Sequence, residues 1–272
     1  MIRIILILFL SFPVALCAQT YQQLSEKAIE YIEMDSLSKA EELLLQALKL
    51  EPKNAKNAML FSNLGLVQRR LGEYDKALES YSFARNLAPL AVPFLLTRAA
   101  INLELGNTDR AYTDYCQVLD EDKQNKEALL MRAYIYVLRR DYPAARIDYN
   151  RLLEIDPQSY SGRLGLATLE QKEGKFKEAL EILNKMITAT PEDATLYIAR
   201  ADVEREMKHE DLALVDLEEA IRLNPSSADA YLLRGNIYLT QKKKALAKMD
   251  FEKAISLGIP PADLHEQLKQ CK

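Results

Sequence analysis

Residues 58–91 read AMLFSNLGLVQRRLGEYDKALESYSFARNLAPLA, and the fold follows from this stretch. Phe61, Leu64, Val67 and Leu71 recur at steps of three and four, one apolar stripe of a helix. Ala77, Tyr81 and Ala84 form a second stripe. Between the stripes, Leu71-Gly72-Glu73 stops one helix and starts another. Pro89 then prevents the second helix from continuing. The stretch is therefore a helical hairpin, too short to bury its apolar faces alone.

The hairpin recurs along the chain. Alanine stands at 77, 111, 145, 179, 213 and 247, a constant step of 34 residues, although alanine is only 32 of 272 residues. With the first of these set at position 20, units begin at 58, 92, 126, 160, 194 and 228. An earlier unit, 21–54, carries Ala40 at the same position and is followed by the insertion 55–57. Position 8 is small throughout: Ala28, Gly65, Ala99, Ala133, Ala167, Ala201 and Gly235. Small residues on both helices of a hairpin allow the axes to approach closely. Proline stands at position 32 in five units, while the third has Lys123 and the seventh Ile259. A fixed period of this length marks a solenoid in which each unit stacks on its neighbours. No alternating strand pattern occurs, so the expected class is all-α.

The pattern closely resembles the tetratricopeptide repeat family. The resemblance lies in the small residue at position 8, alanine at 20, a large apolar residue at 24 and proline at 32. Position 24 holds Leu44, Tyr81, Tyr115, Tyr149, Leu183, Leu217 and Phe251. It implies a right-handed α-solenoid of seven helix–turn–helix repeats over residues 21–54, 58–91, 92–125, 126–159, 160–193, 194–227 and 228–261. The expected organisation is one solenoid domain over 19–272. Ala262, Leu264 and Leu268 then give a final helix over 262–272, apolar on one side, as a cap for the last repeat.

The resemblance also implies a concave groove lined by the first helices, where a protein or peptide partner docks. Positions 5 and 9 of that helix give Leu96, Leu130, Tyr134, Leu164, Thr168, Ile198, Asp202, Leu232 and Asn236 as the groove surface. An exposed apolar strip of this kind suits an extended peptide or a partner helix. Equally, the position-5 side chains could simply pack between neighbouring first helices. Some relatives grip the C-terminal carboxylate of heat-shock chaperones through Lys at position 5 and Asn at position 9. Here position 5 has no Lys, and Asn236 alone matches position 9.

Four repeats carry arginine at position 7 (Arg98, Arg132, Arg200 and Arg234) where the family usually has an aliphatic residue. The same four carry Asp114, Asp148, Asp216 and Asp250 at position 23. Repeats with Leu64 or Leu166 at position 7 have Ser80 or Ile182 instead, and the first, with Lys27 and Leu43, fits neither set. Co-occurrence on facing helices predicts buried ion pairs, in which a carboxylate meets the planar donors of a guanidinium. The rival reading is an arginine ladder for anionic ligands.

With 49% hydrophobic and 28% charged residues the chain is an ordinary folded protein, and a net charge of -4 gives no general attraction to nucleic acid. His209 and His265 stand in no metal-ligand spacing, and neither Ser82 nor Ser161 has the glycine context of a nucleophile elbow. No glycine-rich phosphate loop is present. No catalytic, metal or cofactor site is expected. The N-terminus differs: Arg3 precedes the apolar run 4–10, followed by Ser11, Pro13 and small residues near Ala18. This fits a secretory signal peptide over 1–18, too short for a membrane span. Release by cleavage after Ala18 is preferred over lipid anchoring at Cys17, because a lipidated cysteine normally follows a small residue and Leu16 is large. Cys116 and Cys271 remain, too few for a disulfide framework. The expectation is an exported, non-enzymatic scaffold of a bacterial periplasm or envelope. A lipid-anchored envelope component and a self-associating structural module are the alternatives.

Overall fold

The computed structural model describes residues 20–271, so the leader and Cys17 lie outside the described residues. The described residues are helical, without strands, and form two compact units meeting in sequence between Glu121 and Asp122. The first contains α1 (Tyr21–Glu33), α2 (Leu37–Leu50), α3 (Asn57–Arg70), α4 (Tyr74–Leu87), α5 (Val92–Glu104) and α6 (Thr108–Glu121). The second contains α7 (Lys126–Leu138), α8 (Tyr142–Ile155), α9 (Tyr160–Lys172), α10 (Phe176–Ala189), α11 (Ala194–Glu206) and α12 (Glu210–Leu223). It continues with α13 (Ala228–Thr240), α14 (Lys244–Ser256), a 3₁₀ turn (Pro261–Leu264) and α15 (His265–Gln270). The hairpins are those the sequence period marks, three in the first unit and four in the second.

Within each unit, each helix pair packs first on itself and then on the next pair, as α2 does on α3 and α10 on α11. First helices of successive hairpins also meet: α1 with α3, α7 with α9, α11 with α13. The alanines at position 20 are completely buried, and every residue at positions 8 and 24 is buried too. Glycine at position 8 has a specific reason. A Cβ on Gly65 would lie 2.7 Å from the Tyr81 ring, and one on Gly235 would lie 2.7 Å from that of Phe251. Burial pushes the phenol pKa values of Tyr81 and Tyr149 up to about 12, because the ionised form loses its hydration.

The turn between the two helices of a repeat is uniform. Position 15 is left-handed in all seven repeats, through Gly72, Gly106 and Gly174, and also through Asp35, Arg140, Lys208 and Lys242. The second helix ends at the same place even in the third repeat, where Lys123 replaces proline. Several first helices open on a side-chain cap. Asn125 accepts from the Ala128 amide at 3.0 Å, Ser159 from Gly162 at 3.2 Å and Asp193 from Thr195 at 2.9 Å. The terminal cap is shorter than 262–272 and begins as a 3₁₀ turn. Ala262 is exposed, Leu264 is buried, and Leu268 and Cys271 are half-buried against the cluster of Phe251 and Ala254.

Candidate functional site

The four arginine–aspartate pairs form as the sequence pattern requires. Arg132 donates Nε to Asp148 at 2.7 Å and Nη2 at 2.8 Å; Arg234 makes both bonds to Asp250 at 2.8 Å. Arg98 with Asp114 and Arg200 with Asp216 share this side-on, two-bond geometry. The carboxylates are buried while the guanidiniums keep a partly open edge. Hydrogen bonds donated to Asp216 and Asp250 hold the pKa values of the Arg200 and Arg234 guanidiniums above their ordinary value, outweighing desolvation. Tyrosine rings flank three of the pairs: Tyr136 lies beside Arg132, Tyr197 beside Arg200, and Tyr231 and Tyr238 beside Arg234. These aromatic contacts were not part of the sequence reading. Each arginine gives Nε and Nη2 to its own aspartate, so its charge is met inside the repeat.

Where the pair is missing, other polar contacts appear. Ser80, beside Leu64, donates to Gln68 Oε1 at 2.7 Å. In the fifth repeat, whose position 7 is Leu166, Arg146 of the fourth repeat reaches across to buried Glu170 and to Glu173. Glu170 first, and then Glu173, raises the Arg146 pKa.

Six of the nine predicted groove residues line one cavity of about 440 Å³ in the second unit: Leu164, Thr168, Ile198, Asp202, Leu232 and Asn236. The cavity lies across the first helices α9, α11 and α13. Leu164, Ile198 and Leu232 are half-buried; each packs on a core cluster on one side and faces the cavity on the other. Position 5 in these three repeats thus packs on the core with one side and lines the cavity with the other. Ala199 and Leu233 extend the apolar floor. At the rim, Asp202 accepts from Gln171 at 2.8 Å and from Arg205 at 2.6 and 3.0 Å, so its charge is already met. The Asn236 amide, by contrast, has no partner within the described residues and keeps its donors and acceptor available.

The other three predicted residues fall elsewhere. Leu96 is half-buried on α5 in the first unit. Leu130 is half-buried on α7 against the core of Ala133 and Tyr149, and Tyr134 is 46% exposed. Sequence reasoning omitted Lys172, Thr195 and Asp229 at the cavity edge. They stand at positions 13 and 2, one helical turn beyond positions 9 and 5. It also omitted a cavity of about 630 Å³ in the first unit, where Tyr21, Ile29, Met59 and Leu60 meet Gln22 and Ser25. Among the described residues there is no cluster of three or more metal-ligating side chains, and no helix is long and apolar enough to cross a membrane.

Family models described as tetratricopeptide repeat match residues 26–91, 96–160, 139–203 and 228–257. A crystal structure of a tetratricopeptide repeat protein from Parabacteroides merdae is 36% identical, at TM-score 0.85, over 92% of this chain and 98% of that one. The chain belongs to the tetratricopeptide repeat family. No curated protein matches it. Two more distant structures share the fold alone. PilF of Pseudomonas aeruginosa is 16% identical, at TM-score 0.59, over 77% of this chain and 94% of that one. A chain of the APC/C Cut9–Hcn1 hetero-tetramer is 17% identical, at TM-score 0.60, over 80% of this chain and 42% of that one. The small residues at positions 8 and 20 of this tetratricopeptide repeat chain, all buried, are the physical content of the family pattern.

Proposed function

We propose that this chain is an exported, non-catalytic scaffold that holds an extended segment of a partner protein across α9, α11 and α13. The observation that carries the reading is the cavity with its leucine–isoleucine–leucine floor and the unused amide of Asn236. Packed helices stand roughly 8–10 Å apart. Extended chain in the polyproline II form advances about 3.1 Å per residue and returns a side chain to the same face every third residue, so three residues cover one repeat. A peptide with an apolar side chain at every third residue would meet Leu164, Ile198 and Leu232 in turn. Asn236 would pair with its backbone, and Asp229 and Lys172 would read charges at its edges.

Selection from a random peptide library, followed by calorimetric titration, tests the groove. Enriched peptides should carry the three-residue apolar period, and Ile198→Glu or Asn236→Ala should weaken binding at least about tenfold. Equal binding by wild type and both variants would place the site elsewhere. The leader read over 1–18 supports export to a bacterial periplasm or envelope. Mass spectrometry of the mature protein should find Gln19 first; a diacylglycerol on Cys17 would replace release with anchoring.

A further inference from the structure

Positions 19 and 22 lie on the outer face of each second helix. In the first and second repeats they are charged, as Lys39 with Glu42 and Lys76 with Glu79; in the fifth they are Glu178 and Glu181, while the third has Arg110 with Thr113 and the fourth Ala144 with Ile147. The last two repeats reverse this. Leu212 and Val215 stand there on α12, and Leu246 and Met249 on α14, with exposures between 43% and 65%. Single exposed hydrophobic residues are ordinary on a protein surface. Four at matching positions of consecutive hairpins, where the first, second and fifth repeats place two charges each and the fourth exposes only Ile147, form a patch that solvent alone does not explain. Both helices pack on α13, within one unit.

The charges around this patch are divided between the helices. α12 carries five acidic residues against the single base Arg222. The segment from Lys242 to Lys253 carries five lysines against Asp250 and Glu252. Asp216 and Asp250 serve the interior pairs. Asp211 and Glu218 on the acidic helix, and Lys242 and Lys244 on the basic side, are exposed and have no partner among the described residues. Such a surface is complementary to itself. A half-turn about an axis between the two helices sets α12 of one copy on α14 of another, apolar on apolar and acid on base.

We propose that the outer faces of α12 and α14 form a two-fold interface that seats a second copy of this chain. The first helices remain on the other side of the hairpins, so both copies keep their grooves. Two helices per copy make a small interface, and the expected dissociation constant is on the order of 10 μM.

Sedimentation velocity of the full chain over a concentration series, with reductant present, tests this. Wild type should pass from monomer to dimer, and Val215→Glu with Met249→Glu should raise the dissociation constant at least about 100-fold without lowering the melting temperature. A charge exchange identifies the geometry. One variant carries Asp211→Lys and Glu218→Lys, the other Lys242→Glu and Lys244→Glu. Each alone should stay monomeric, and the two mixed should form a heterodimer. Wild type that remains monomeric well above the expected constant would overturn the proposal. So would a dimer insensitive to the glutamate variant, or charge variants that do not combine. Leu164→Glu, in the groove, should dimerise like wild type.

Discussion

At the scale of single residues, the arginine–aspartate pairs show how a buried charge becomes tolerable. Asp148 is almost fully enclosed, and both its oxygens accept from Arg132 at 2.7 and 2.8 Å. Removing one partner leaves the other desolvated and uncompensated. Asp148→Ala should therefore destabilise by about 3–5 kcal/mol, read from chemical denaturation. Replacing Arg132 with Leu and Asp148 with Ile copies the Leu166–Ile182 solution of the fifth repeat and should cost far less. Equal losses from the single and double variants would argue against pairing. This feature was legible in the sequence because position 7 and position 23 change together from repeat to repeat. The tyrosine rings beside the arginines were not legible, since Tyr136 and Tyr238 stand at position 11 while Tyr197 and Tyr231 stand at position 4. No single spacing announces them.

At the scale of the helical hairpin, the turn is more uniform than its residues. Position 15 is left-handed whether it holds glycine or not. An L-residue there costs about 1–2 kcal/mol that glycine does not, partly offset by glycine's greater freedom in the unfolded chain. Lys208→Gly should raise stability by about 0.5–1 kcal/mol, and the same exchange at Arg140 should do so too. A lower melting temperature in both would show that the lysine and arginine side chains contribute more than the backbone costs. Three of the seven turns were visible as Gly72, Gly106 and Gly174. The others were hidden because helix packing on both sides fixes the turn whatever residue occupies it. The third repeat, which ends α6 at Glu121 without proline, shows the same dominance of packing over local signal.

At the scale of the whole molecule, stacked hairpins always leave an end to be covered. Here the last hairpin is closed by buried Leu264 with Leu268 and Cys271 against Phe251 and Ala254. A chain ending at Pro261 should melt earlier and aggregate more readily, checked by calorimetry and light scattering; unchanged behaviour would deny α15 its capping role. The outer face of α12 and α14 presents the same physics unresolved within one copy, which is why a second copy is its proposed cover. The sequence by itself determined the helical hairpins, their period, the ion pairs and which residues could face a groove, because each repeats in register and periodicity is written in one dimension. Only the tertiary structure decided that Leu164, Ile198 and Leu232 share one cavity while Leu96, Leu130 and Tyr134 stand apart from it. A cavity is set by how far neighbouring helices spread, and that distance depends on the packing of all their side chains together.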